Sequence, residues 1–277
     1  MRLRDALASA VALAALAGGG CGGGGSYVRT SLGKEHHIEP AVNRISEPRG
    51  RSERDADAQL GLAEIPRYLR AGDFSAVRRV ATQVLKHEPR SVEAHTYLAV
   101  GMDKTGDAAG AGAHYLRAAE LAPNNGGVLG NYGIWLCEQG RLEESLTWID
   151  RALALPDNGD WALLLANSGV CAGKAGLSQR AERDLRRALE LDPKNPMALE
   201  AMAEWQLAAG NAFEARAFSE RRLAAAPADA KALLLASQIE QELGDSPAAA
   251  RYVSRLKAEF PDAAEARNST MGDGGRR

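Results

Sequence analysis

The stretch Gly176 to Pro227, GLSQRAERDLRRALELDPKNPMALEAMAEWQLAAGNAFEARAFSERRLAAAP, decides how this chain folds. It reads as a turn glycine, a helix closing on Leu189-Glu190-Leu191-Asp192-Pro193, a second helix from Pro196 to Ala209, and then the same phrase again from Gly210. Gly176 and Gly210 are 34 residues apart, and so are Pro193 and Pro227. Carried outward, the spacing finds turn glycines at Gly72, Gly106, Gly140, Gly176, Gly210 and Gly244, at intervals of 34, 34, 36, 34 and 34. Closing prolines follow at Pro89, Pro123, Pro156, Pro193, Pro227 and Pro261. A glycine ends a helix cheaply by taking the left-handed conformation, and a proline stops the next one because it lacks an N–H.

A 34-residue helix-turn-helix period is the tetratricopeptide pattern. It predicts an all-α fold, a right-handed superhelix of six helix-turn-helix units, because one helix pair cannot bury its apolar face alone. Each unit pairs a helix A with a helix B, and small side chains are needed where the two cross. With the turn glycine as position 15, position 8 reads Ala99, Gly133, Gly169, Ala203 and Ser237 in repeats two to six. Position 20 reads Val77, Ala111, Ser145, Ala181, Ala215 and Ala249, and position 27 reads Val84, Ala118, Ala152, Ala188, Arg222 and Leu256, weakening in the last two units. In repeat one, Glu64 to Arg67 reads as an extra helical turn, and Pro66 within it is expected to break or kink the helix. The connection Leu155 to Trp161 is two residues longer than the norm. The repeat domain is placed at 55–261, and the small, polar segment 262–277 reads as a disordered tail.

The composition, 45% hydrophobic but only 5% aromatic, suits close packing of alanine- and leucine-rich helices. A net charge of -2 with both signs interleaved argues against nucleic-acid binding. Residues 1–21 read as a targeting segment: Arg2 and Arg4 make a basic start, and Ala6 to Ala17 an apolar run too short to span a bilayer. The run ends at Gly18-Gly19-Gly20-Cys21, a lipoprotein-like signal in which Cys21 is the lipid anchor; Ala15-Leu16-Ala17 offers an ordinary cleavage site instead. Residues 22–54, mixing Gly, Pro, Arg and Glu without helical periodicity, read as a flexible linker. His36-His37 within it has no further ligands at metal-binding spacing.

Catalytic readings find no support. There is no Gly-rich phosphate loop, no metal-spaced cluster and no nucleophile elbow, and Glu143, Glu144, Glu200 and Glu204 sit on amphipathic helices as solvated faces do. No cofactor is expected. Cys137 and Cys171 fall inside A helices and read as buried thiols, with a disulfide as the alternative in an oxidising compartment. A surface remains. In tetratricopeptide superhelices the concave wall is built from A-helix positions 2, 5, 9 and 12. In repeats three and four these are Gly127, Gly130, Ile134, Cys137, Leu163, Ala166, Val170 and Gly173, and the fifth repeat adds Met197, Glu200, Glu204 and Leu207. An uncharged mid-groove with polar shoulders suits an apolar peptide, with the position-6 amides Asn131 and Asn167 available to a bound backbone. Alternatively, the same residues simply pack. Trp135, Trp148 and Trp205 read as core.

The Gln59-Leu60-Gly61-Leu62 opening, the run Asn131-Tyr132-Gly133-Ile134-Trp135-Leu136-Cys137-Glu138-Gln139-Gly140, the six repeats, the longer third connection and the leader together resemble the type IV pilus biogenesis/stability lipoproteins of the PilF/PilW type. The chain departs from that pattern at the Glu64 to Arg67 insertion, at Gly130 where a second Asn is usual, and at Gly18 in the lipid signal. The resemblance implies a pilotin: a palmitate-bearing lipoprotein on the periplasmic face of the outer membrane that helps the pilus secretin localise and multimerise, with a monomeric repeat domain. A general periplasmic scaffold for cell-envelope assembly machinery is the alternative.

Overall fold

The computed structural model describes residues 26–29, 35–38, 53–156 and 160–268. The leader, Cys21 and the tail beyond 268 lie outside the described residues, as does most of the linker. Six helical hairpins follow one another: α1 (Glu53–Ala71) with α2 (Phe74–His87), α3 (Val92–Lys104) with α4 (Ala108–Leu121), α5 (Gly126–Glu138) with α6 (Leu142–Leu153), α7 (Trp161–Lys174) with α8 (Ser178–Leu191), α9 (Pro196–Ala208) with α10 (Ala212–Ala225), and α11 (Ala230–Glu242) with α12 (Ser246–Glu259). The chain is an all-α tetratricopeptide superhelix.

The register follows from local chemistry. All six turn glycines have positive φ, from 69° at Gly72 to 88° at Gly106, so an L side chain at any of them would be strained. Asp73, Asp107 and Asp245 then cap the following B helices, and Ser91, Asn125, Asp160, Asn195 and Asp229 cap A helices, each accepting a backbone N–H three residues on. Helix A crosses helix B at the small positions. A methyl group on Gly133 would lie 2.8 Å from Ile149 Cγ1, and one on Gly169 would lie 2.5 Å from Leu185 Cγ. Arg222, the misfit at position 27, is buried yet paired: it donates to Asp229 Oδ2 at 2.7 Å, to Glu200 Oε2 at 3.3 Å and to the Pro227 carbonyl at 3.2 Å.

Across the longer third connection a polar network ties repeat three to repeat four. Arg180 on α8 reaches back to Asp150 on α6 at 2.6 Å, and Ser168 on α7 donates to the buried Asp184 at 2.7 Å. Cys137 and Cys171 are free, buried thiols in one cluster with Leu146, Ala172 and Ala181. Trp135 is core, near-parallel to Tyr132 at 6.0 Å and donating to Asp103 Oδ1 at 3.1 Å; Trp148 meets Tyr132 edge-on, and Trp205 packs with Met202 and Phe218.

Three expectations need correction. Pro66 does not end helix α1, which runs 19 residues where other A helices have 13 or 14. Leu62, Ile65 and Leu69 bury one stripe against Val77, Ala81 and Val84, and that packing outweighs the lost backbone hydrogen bond. The extra turn is therefore core-bearing, whereas Leu60 is 67% exposed. The linker is not featureless, because β1 (Ser26–Arg29) and β2 (Glu35–Ile38) pair antiparallel, and α1 starts at Glu53, ahead of the 55 boundary. Beyond Pro261 a short helix α13 (Ala264–Asn268) packs on α11 and α12, burying Ala266 with Leu233 and Leu256. The segment read as a disordered tail thus begins by covering the end of the stack.

Candidate protein-interaction surface

Helices α5, α7, α9 and α11 touch in series, so their side chains form one continuous wall. In repeats two to four this wall is partly closed. Thr96, Val100, Gly130, Cys137, Leu163 and Ala166 are buried, and a methyl on Gly130 would come within 3.0 Å of Leu164 Cδ1. Cys137, Leu163 and Ala166, read from the sequence as groove lining, therefore belong to the wall's interior. What they leave at the surface is half-buried Ile134, Asn167 and Val170, with Gly173 exposed. The wall opens from repeat five, where Met197, Glu200, Glu204 and Leu207 are all partly accessible.

The two position-6 amides differ. Asn167 Nδ2 donates to the Leu163 carbonyl at 2.9 Å, so its amide serves its own helix. Asn131 is buried with Nδ2 unpartnered. Such a donor costs about 1–3 kcal/mol until an acceptor reaches it.

The polar shoulder holds a residue that sequence reasoning passed over. Lys231, the first side chain of repeat six to face the wall, sits between Glu200 Oε1 at 2.8 Å and Glu204 Oε1 at 2.6 Å. Burial works against its charge, but the two carboxylates outweigh that and raise its pKa. The signal was present in the repeat register, where a lysine at position 2 follows glutamates at positions 5 and 9 of the repeat before. Glu200 is shared with the buried Arg222, which makes it the hinge of a five-charge network of Glu204, Lys231, Glu200, Arg222 and Asp229. At the other end, burial raises the pKa of Glu93. Glu143 and Glu144 are exposed on α6, where Arg141 pairs with Glu144 at 2.6 Å.

Behind the wall, His95 Nδ1 lies 2.8 Å from His114 Nδ1, and His95 Nε2 lies 3.2 Å from the Pro89 carbonyl. With Nε2–H donating to that carbonyl, His95 Nδ1 accepts from His114 Nδ1–H, and the His95 ring is neutral. Burial lowers both pKa values. Among the described residues, no group of three or more His, Cys, Asp or Glu is placed to hold a metal ion, and no helix is long and apolar enough to cross a membrane.

This geometry, an A-helix wall over six capped hairpins, recurs in known proteins. The chain is 27% identical over 224 residues to the type IV pilus assembly protein PilF of Pseudomonas aeruginosa, covering 80% of this chain and 87% of that one. It superposes on the crystal structure of PilW, a widely conserved type IV pilus biogenesis factor, with a TM-score of 0.70 and 26% identity, across 80% of this chain and all of that one. It is a tetratricopeptide repeat protein related to the type IV pilus biogenesis factors. The Pseudomonas aeruginosa PilF structure shares the fold, with a TM-score of 0.68 at 23% identity over the same share of each chain. No protein-family model matches the chain. Departures such as Arg222 at position 27 and the proline-bearing turn in α1 show how far single repeats stray from a common pattern.

Proposed function

We propose that this protein is a non-catalytic pilotin of type IV pilus biogenesis, anchored through lipid on Cys21 to the periplasmic face of the outer membrane and holding a segment of the pilus secretin against its A-helix wall. The observation that carries this reading is the likeness to PilF and PilW along nearly their whole length, extending beyond the repeat pattern common to many scaffolds. Chemically, Ile134, Val170, Met197 and Leu207 offer apolar contacts to an incoming segment. The Glu200–Glu204–Lys231 shoulder offers charge. An anchored wall raises the local concentration of secretin subunits and so favours ring assembly without any bond being made.

The test replaces Cys21 with Ser and follows the secretin by membrane fractionation. Secretin should leave the outer membrane and its multimers should decline, while the repeat domain keeps its helicity. Correctly placed multimers in the Cys21→Ser strain would refute anchoring. Failure of the repeat domain to retain secretin in a pull-down would refute the partner.

A further inference from the structure

Helix α2 carries a cationic face with no acid of its own. It contains no Asp or Glu, whereas α4, α6, α8, α10 and α12 each contain at least one. Ser75, Arg78, Arg79, Thr82, Gln83 and Lys86 recur at three and four residues and so share one side of the helix. With Thr105 they line a shallow cleft of about 450 Å³. Every one of these side chains can donate a hydrogen bond, and none is an acid.

The contrast with α8 shows what is unusual. There Arg180, Arg183, Arg186 and Arg187 pair with Asp150, Asp184, Glu182 and Glu190. On α2, Arg78 donates to Thr105 Oγ1 at 2.6 Å and stands 3.6 Å from Asp107. Arg79 and Lys86 are exposed and have no acidic partner among the described residues. They sit two helical turns apart, about 10 Å along the axis. That is too far for one small anion to bridge, and it fits an array of anionic oxygens spread over a plane. Uncompensated cations on a surface gain most where the opposing charge is dense and continuous.

We infer that the α2 face docks on a surface of anionic phospholipid headgroups. Docked this way, the first repeat lies against the bilayer and the A-helix wall, on the opposite side of the hairpin, faces away from it. The inference depends on the proposed anchor only for which membrane is met; the contact itself needs no acyl chain.

The test uses the full chain carrying Cys21→Ser, so that acylation contributes nothing, with sedimentation on phosphatidylglycerol–phosphatidylcholine vesicles and on phosphatidylcholine alone. Binding should require phosphatidylglycerol and weaken as salt rises from about 0.05 to 0.3 M. Arg79→Glu with Lys86→Glu should lower the partition coefficient at least about thirty-fold, the change expected on withdrawing two surface cations from an anionic bilayer. Arg251→Glu with Lys257→Glu on α12, the same charge change at the far end of the stack, should leave it within about two-fold. Circular dichroism checks that both variants keep their helices. Equal binding to phosphatidylcholine, unchanged binding in the α2 variant, or equal loss in both variants overturns the inference. So does saturable binding of inorganic phosphate without vesicle binding.

Discussion

Two glycines on one helix should respond to the same substitution with opposite signs. Gly169 and Gly173 are one turn apart on α7, and both are helical, so Ala at either gains about 1 kcal/mol from helix propensity alone. Their surroundings differ. At Gly169 the new methyl would stand 2.5 Å from Leu185 Cγ and 3.1 Å from the Ala181 carbonyl oxygen; Leu185 is 2% exposed, and its Cγ is a branch point that no rotamer change at the tip relieves. Overpacking of this kind costs about 1–3 kcal/mol. At Gly173 the methyl would meet only Ala181 Cβ, at an ordinary contact distance of 3.8 Å. Gly169→Ala should therefore lose about 1–2 kcal/mol net, and Gly173→Ala should gain several tenths.

For a domain of this size, each kcal/mol moves Tm by about 2–4 °C. Gly169→Ala should melt about 2–8 °C lower than the parent, and Gly173→Ala about 1–4 °C higher. Thermal and urea unfolding followed by far-UV circular dichroism read both, and an unchanged urea m-value confirms that the effect is on stability. Equal shifts of one sign, or a stabilised Gly169→Ala, would mean that helix α7 does not cross α8 with Gly169 against Leu185.

Further outcomes follow from the same geometry. Ala188→Leu, at a fully buried junction in repeat four, should cost about 1–3 kcal/mol in urea unfolding. Arg222→Ala should cost about 3–5 kcal/mol because it leaves Glu200 and Asp229 without their buried guanidinium, whereas Lys231→Ala should cost under about 1 kcal/mol because the Lys231 side chain is 58% exposed; denaturant midpoints for both separate a structural from a surface role. The histidine pair sets a pH dependence. Because the folded pKa values of His95 and His114 are lowered, the unfolded chain takes up protons first, so stability should be level above about pH 7 and fall as pH drops below about 6.5. The urea midpoint of His95→Gln should fall less steeply over that range.

How much of this was legible beforehand depends on the distance over which each feature is decided. The hairpins were readable because glycine, cap and proline act within a few residues: a positive φ at Gly140 needs no information from repeat five. Continuation of α1 through Pro66 was not readable. Local chemistry there points to a break, and only burial of Ile65 and Leu69 against α2 reverses it. The same holds for α13, whose five residues have no strong helical signal and are held by Leu233, Leu256 and Phe260. Lys231 was within reach of the repeat register, but its role required comparing positions across a repeat boundary.

The surface was legible in direction but not in depth. Periodicity assigns positions 2, 5, 9 and 12 to the inner wall, and the helices do turn those positions to a common side. Whether such a residue is wall or lining depends on how closely consecutive A helices approach, and that depends on side-chain size. In repeats two to four, position 5 is Thr96, Gly130 and Ala166, all buried, and Leu164 drops into the space beside Gly130. In repeat five the same position is the partly accessible Glu200, whose carboxylate is held by Lys231 and Arg222. The accessible part of the wall thus lies where position 5 is large and charged. The glutamate–lysine shoulder is the charged part of this wall, and Ile134, Val170, Met197 and Leu207 are its partly accessible apolar part.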